Sequence, residues 1–428
     1  MPKDSQNLKV LSLFSGCGGM DLGFEGGFRV LQKSINSNIH PDWINGNPDK
    51  GWVDLPHTRF KTIFANDIVP AAKAAWIPYF TKHGNHNNQF HLHSIVDLVK
   101  SHQKGIKIFP EADVVTGGFP CQDFSVSGKR NGFNSHKAHH GNLLTDFDNP
   151  SEENRGKLYM WMKRIIEIVL PKVFIAENVK GLVSLADAKK IIENDFRTIG
   201  TSYLVVNAKV LYAPMFGVPQ SRERVIFIGF RKDSLTKKAI KELSATNIKT
   251  EFDPYPKQTH GSHELPLSHN NSLLPYVTVG DYILDLLEPH ESQDLSQQSF
   301  SKAKWYGSHC QGQTEVDLGS IGPTIRAEHH GNIEFRRLAL EHGGKYTSEF
   351  KLGIGERRLT VRECARIQTF PDDFEFVRKP SKMGKEYKLS ASEGYKLVGN
   401  AVPPLLAFHI AWRLQKLWSI VMKKEGQK

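Results

Sequence analysis

Cysteine is scarce in this chain. The four present, Cys17, Cys121, Cys310 and Cys364, lie far apart with no CxxC pair, so neither a zinc site nor a disulfide framework is signalled, and a reducing, cytoplasmic setting is expected. Long apolar runs are missing as well. Nothing approaches the roughly 18 consecutive apolar residues of a membrane span, and the chain is polar up to Leu8, so neither anchoring nor secretion is indicated. No internal repeat is visible, and the histidines between His83 and His93 have no metal-ligand spacing, so no metal is expected. Acidic residues are outnumbered: Lys plus Arg exceeds Asp plus Glu by 56 to 45, a formal charge of +11 that suits a polyanionic partner. The 428 residues are enough to bury one large core or two domains.

What is present reads as an α/β chain. Lys9 to Phe14 predicts a strand, and Ser15-Gly16-Cys17-Gly18-Gly19 turns it tightly into a helix starting near Met20. Glycines there let a ligand approach the backbone closely. The turn lacks the second gap of a GxGxxG fingerprint, which weighs against a dinucleotide. Ser34 to Arg59 reads as an insertion before the next strand, Phe60 to Ala65, which ends at Asn66-Asp67. An acid there either accepts hydrogen bonds from ribose hydroxyls or caps the following helix, Pro70 to Tyr79.

The central stretch opens as a short apolar strand, Asp113 to Val115, that Gly117-Gly118 is expected to stop. Cys121 then stands just past a strand's carboxyl end, where open α/β sheets bind ligands. Pro120 stiffens the point from which a thiolate would be presented. The segment beyond, through Gly128, Gly132 and Gly141, is long enough to close over a substrate.

Farther on, Leu158, Met162, Ile165, Ile166 and Val169 recur at helical spacing until Pro171. The apolar strand Val173 to Ala176 ends in Glu177-Asn178-Val179. Another, Val205 to Leu211, precedes Gln220-Ser221-Arg222-Glu223-Arg224 and the strand Val225 to Phe230. Alternation puts Gln220, Arg222 and Arg224 on one face, a fork suited to pairing with Glu177. The βα rhythm is lost after about Lys237, where basic clusters such as Arg326, Arg336-Arg337 and Arg357-Arg358 appear among short apolar pieces. It returns at Val398-Gly399-Asn400-Ala401-Val402-Pro403, followed by a helical stripe from Leu406 to Val421.

Taken together, Phe14 to Gly19, Pro120-Cys121-Gln122, Glu177 to Val179, Gln220 to Arg224, Arg362 to Pro371 and Gly399 to Pro403 form an ordered set that resembles the DNA cytosine-5 methyltransferases of bacterial restriction-modification systems. The resemblance implies a Rossmann-like domain that uses S-adenosylmethionine, built on a mixed, mostly parallel sheet and interrupted by a smaller target-recognition domain. The expected division is 1–236 catalytic, 237–375 target recognition and 376–428 returning to the catalytic domain. Cofactor contacts are expected from Phe14, Ser15, Gly16, Cys17, Gly18, Gly19, Asp67, Ile68, Pro120, Asn400, Ala401 and Val402. Where the family often shows Asp-Ile at the adenine, this chain has Ser94-Ile95.

Carbon 5 of cytosine is a poor nucleophile, and adding a thiolate at carbon 6 makes the ring electron-rich enough to take a methyl group. Cys121 is the expected nucleophile. Glu177 is expected at the ring's N3 and amino group, Arg224 at its carbonyl and on Glu177, and Arg222 in support. The glutamate's pKa should rise with burial and fall beside the arginines, and which effect wins is not legible. A cytosine inside a duplex is unreachable, so base flipping is implied. Gln122, Ser125, Lys129 and Arg130 are expected on the DNA. Double-stranded DNA is thus the expected partner, with a cognate restriction endonuclease as functional counterpart. A tRNA cytosine-5 methyltransferase, a nicotinamide-dependent oxidoreductase and an inactive DNA-binding protein are the competing readings.

Overall fold

Strands whose residues are apolar on both faces must be covered on both faces, and here they are. A computed structural model of the chain describes residues 7–44, 48–120, 158–183, 187–200, 203–262, 273–307, 311–327, 333–345, 349–350, 353–379 and 387–424. Its main sheet has seven strands: β1 (Leu8–Leu13), β2 (Phe60–Asp67), β3 (Phe90–Leu92), β4 (Val114–Gly118), β5 (Val173–Val179), β6 (Tyr203–Tyr212) and β7 (Glu223–Arg231). Their order across the sheet is β3-β2-β1-β4-β5-β7-β6, with β1 to β5 parallel and β7 antiparallel to both neighbours.

Alternation along each strand divides the core. Val10, Val114, Val173, Ile175, Ile226 and Ile228 face one side, where α1 (Gly19–Glu25), α2 (Pro70–Lys82) and α8 (Pro404–Val421) pack. Leu11, Leu13, Val115, Phe174, Ala176 and Phe227 face the other, covered by α3 (Ile95–Gln103), α4 (Leu158–Val169) and α5 (Ala188–Arg197). Two further helices, α6 (Val361–Ile367) and α7 (Ala391–Asn400), each start with a reciprocal Ser/Thr to Glu capping box.

Two expectations change. Gly117 and Gly118 do not stop β4 but lie within it, because a Cβ at these positions would come 2.9 Å from Met162 Sδ and 2.8 Å from Glu177 Oε2 respectively. Small residues make room there for a core side chain and for a carboxylate. The insertion 34–59 also has a place. Arg29–Leu31 pairs antiparallel with Trp52–Asp54, and the fully buried Trp43 stacks on His40 at 3.9 Å and packs edge-on against Phe408, His409 and Trp412 of α8. The Ser34 hydroxyl meets Tyr282 Oη at 2.7 Å, so the insertion joins the last helix to the segment around 280.

Candidate active site

Five parallel strands deliver their last residues to one edge of the sheet, and the antiparallel β7 begins at that same edge. Chemistry-bearing residues from distant stretches therefore meet there. Past β1 the chain turns through Phe14 at φ 53°, Gly16 at 55° and Gly18 at 91°. The Ser15 amide donates to Asn66 O (2.8 Å), and the Gly16 amide to Asp67 Oδ2 (2.8 Å), tying the turn to the end of β2. Asp67 Oδ1 also accepts from the Val69 amide (2.9 Å) at the start of α2. Its carboxylate thus ties turn to helix, and burial raises its pKa.

The glycines of the turn serve different ends. A Cβ on Gly18 would lie 2.5 Å from the Phe80 ring and 2.7 Å from Trp76, and one on Gly19 would lie 2.4 Å from Val402 O, so these two permit close packing. At Gly16 a Cβ would meet nothing within 4 Å. The turn is open at that point, flanked by exposed Ile68 and Val69 (41% and 45%). Asn400 is exposed beside the buried Val402, and Ala401 packs on Gly19. An open glycine turn, an apolar shelf and a neighbouring acid fit a nucleoside carrying an amino-acid tail.

Three expected contacts fall differently. Ser94 caps α3, its Oγ accepting from the Val96 amide at 3.3 Å, while Ile95 is buried in the core. Cys17 is buried, with its thiol toward Leu397 O at 3.6 Å, and burial pushes its pKa up. The Ile95 and Cys17 side chains belong to packing. Asp21, which the sequence did not single out, sits beneath the turn, accepting from Ser12 Oγ (2.5 Å) and Trp76 Nε1 (2.8 Å). Burial pushes its carboxyl up to about 7.

On the other side of β4 lies Glu177. It pairs with Gly118 across the parallel ladder and is buried, and its Oε1 meets Arg224 Nε at 2.7 Å. Arg224 Nη1 donates to Glu223 O at 2.8 Å, which holds the guanidinium in place. Burial raises the Glu177 pKa; Arg224, and after it Arg222, pull it back without cancelling the rise. The competition left open above is settled in favour of burial. Next to it, Asn178 Nδ2 donates to Phe119 O (3.0 Å) and fixes the chain just before Pro120. Cys121, Gln122, Ser125, Lys129 and Arg130 lie outside the described residues.

Arg222 needs correcting. It is fully buried, and its guanidinium donates to Ile325 O (3.1 Å), Gly399 O (2.8 Å), Ala401 O (2.7 Å) and Gln220 Oε1 (3.4 Å). Its charge acts on Glu177, but its hydrogen bonds clamp the Asn400 turn to the 325 segment. Gln220 completes the clamp, accepting from the Ile325 amide at 3.0 Å and donating to Gln368 Oε1 at 2.5 Å. Gln368 in turn donates to Val398 O and Ala401 O (2.8 and 2.9 Å). The sequence contained Gln368 and Asn178 within its motif blocks but offered no sign of which neighbours they hold. Among the described residues no group of three or more His, Cys, Asp or Glu is placed to hold a metal ion, and no helix is long and apolar enough to cross a membrane.

This strand order, a mostly parallel sheet with an antiparallel seventh strand, is that of an S-adenosylmethionine-dependent methyltransferase. The chain belongs to the C-5 cytosine-specific DNA methylase family, whose model matches residues 8–416. It is 34% identical to the Type II methyltransferase M.BspRI of Lysinibacillus sphaericus, over 95% of this chain and 81% of that one. To the Type II methyltransferase M.BsuRI of Bacillus subtilis it is 32% identical, over 95% and 79%. Among solved structures it is similar in fold to the Entamoeba histolytica methyltransferase EhMeth (TM-score 0.53, 15% identity, 96% and 98% covered). The S. pombe Dnmt2 methyltransferase gives a TM-score of 0.50 at 15% identity, with 95% and 98% covered. The chain is thus a DNA cytosine-5-methyltransferase with S-adenosylmethionine as methyl donor.

Proposed function

We propose that the protein methylates a cytosine flipped out of a specific short duplex sequence, with Cys121 as nucleophile and Glu177 as proton donor. The observation that carries this reading is the buried Glu177–Arg224 pair at 2.7 Å, beside the Phe119 carbonyl that Asn178 holds just ahead of Cys121. A carboxyl whose pKa burial has raised is suited to donate a proton to N3. Cys121 Sγ bonds to carbon 6 and the ring's electron pair moves toward N3, where Glu177 supplies the proton. Carbon 5 then takes the methyl group and loses its proton to a base, the Sγ–carbon 6 bond breaks to release the thiolate, and N3 returns its proton to Glu177. Phe14, Ser15, Gly16, Asp67, Ile68 and the Asn400 turn would hold S-adenosylmethionine, with Pro120 bordering it, and its sulfonium would supply the methyl group as an electrophile.

Extrusion costs about a few kcal/mol, and the loop carrying Gln122, Ser125, Lys129 and Arg130 fills the vacated space and holds phosphates. Residues 237–375 read base edges, while 1–236 and 376–428 form the catalytic domain. Both relatives compared above are named as Type II methyltransferases, which supports pairing with a cognate restriction endonuclease and a cytoplasmic setting. A tRNA substrate is the other reading on this scaffold; the Dnmt2 likeness at 15% identity speaks to fold alone. Bisulfite mapping of plasmid DNA incubated with the protein tests the proposal. Cys121→Ala is expected to abolish methylation, and duplex containing 5-fluorocytosine to trap the parent covalently. Residual turnover within about tenfold of the parent would rule out covalent addition.

A further inference from the structure

Seven arginines lie between 237 and 375. Six of them are buried and engaged within the protein. Arg336 and Arg337 bond to Glu349, Arg357 to Glu288 and Glu363, Arg362 to Asp294, and Arg366 to Asp285 and Asp372. Arg358 donates to the carbonyls of Ala303, Trp305, Gly312 and Ile333. Guanidiniums held this way are not available to a base edge.

Arg326 is the exception, being partly exposed. Its backbone packs closely against Gly399. A Cβ on Gly399 would lie 2.3 Å from the Arg326 carbonyl carbon, and the preceding Ile325 is held at both its amide and its carbonyl by Gln220 and Arg222. Arg326 therefore follows directly on the clamp that also fixes the Asn400 turn, whose Arg222 stands two residues along the chain from Arg224, the partner of Glu177. Near it is Glu334, buried to 3% exposure; the Gln311 side chain and its own backbone amide lie close to its carboxyl, but no donor among the described residues meets either oxygen in full hydrogen-bond geometry. Glu334 borders a cavity of about 340 Å³ together with Ser221, Gln311, Thr314 and Pro323, and it feels the charges of Arg326 and Arg358.

We propose that Arg326 reads a guanine of the target sequence from the major groove, with Glu334 as the positioning residue that orients its guanidinium. This rests on the reading of the protein as a sequence-specific duplex methyltransferase. A guanidinium has five N–H donors in a planar fork, so one edge is able to bond a carboxylate while the other bonds guanine O6 and N7. The buried Glu334 carboxyl supplies the first partner, and the hold of Gln220 and Arg222 on the preceding Ile325 makes the second selective.

The test compares the parent with Arg326→Ala, Arg326→Lys and Glu334→Gln by bisulfite mapping at matched turnover, with kcat and KM for duplex, salt dependence and thermal melting. Arg326→Ala is expected to lower kcat/KM at the parent's site roughly 5- to 150-fold and to add sites that differ at one guanine. Arg326→Lys keeps the charge but loses the fork, and should relax the same position with an unchanged melting temperature, which keeps the test valid if the alanine variant folds poorly. Glu334→Gln should relax that position to a smaller degree, mostly through KM. An unchanged methylation pattern in Arg326→Lys, with only the salt dependence altered, would assign the residue to a phosphate and overturn the inference. If the parent methylates no duplex cytosine, the reading beneath it fails first.

Discussion

Charge is used differently in the two halves of this molecule. In the sheet, backbone amides and carbonyls satisfy one another in ladders, side chains supply apolar packing, and the charged groups Glu177, Arg222 and Arg224 stand together at one edge. Among the described residues of 237–375 the strands are two or three residues long, so many carbonyls there have no ladder to join. A buried carbonyl needs a donor, and arginine provides several at once. Arg358 bonds four carbonyls from three separate segments, and Arg362 reaches Pro371 O and Phe374 O at 3.1 and 2.9 Å. The arginines clustered between 326 and 366 therefore mark the scaffold of an irregular fold more than they mark contact with nucleic acid.

Two carboxyls, one from each region, respond oppositely to pH. Burial pushes Glu288 up, but Arg357 and Arg337 pull it further down, to about 2. Its stabilising effect is present above its ordinary 4.5 and is lost as pH falls toward 2. Asp21, raised from 3.8 to about 7, favours the folded state fully below pH 3.8, and that contribution is lost as pH rises through 7.

The largest expected effect breaks the arginine scaffold. Arg358→Met leaves several carbonyls without donors and should cost about 3 to 5 kcal/mol in urea unfolding; a loss under about 1 kcal/mol would remove the contrast between the halves. Glu177→Gln should slow methylation about 100-fold, or about 2.7 kcal/mol in the barrier, with cofactor affinity kept. Its pH profile sharpens the point: the parent's rate should fall as pH rises through the raised carboxyl pKa, and the variant should lack that limb. Asp21→Asn should reduce the gain in melting temperature between pH 7.5 and 4.5 that the parent shows, and an unchanged gain would deny the buried carboxyl its role. Gly16→Ala is the mildest, with about 1 kcal/mol of strain from a positive φ and about tenfold weaker S-adenosylmethionine binding by calorimetry. Undiminished binding would mean that the open side of the turn is not the cofactor's.

Much of the first half was legible because its strands are apolar runs punctuated by Gly, Pro and Asp. β1, β5 and β7 lie within a few residues of their expected bounds, and the pairing of Arg224 with Glu177 followed from alternation. The misreadings share a cause. Gly117-Gly118 looked like a stop because a glycine's reason for being in a strand, here the bulk of Met162 and Glu177, comes from residues distant in sequence. The burial of Arg337, Arg357 and Arg358 was invisible for the same reason, since their carboxylate and carbonyl partners come from separate segments between 288 and 363. Arg222 looked catalytic from its motif, and only the tertiary fold gave it backbone carbonyls to hold.

Gly19 against Val402, and α1 against α8, join the beginning of the described chain to its far end. On a ribosome the first helix must therefore wait, its apolar face uncovered, until residues beyond 400 have emerged. Contacts so distant in sequence slow folding and lengthen the interval in which nascent chains are prone to aggregate. The same dependence means that a chain lacking the residues beyond 400 leaves Gly19 and the inner face of α1 uncovered.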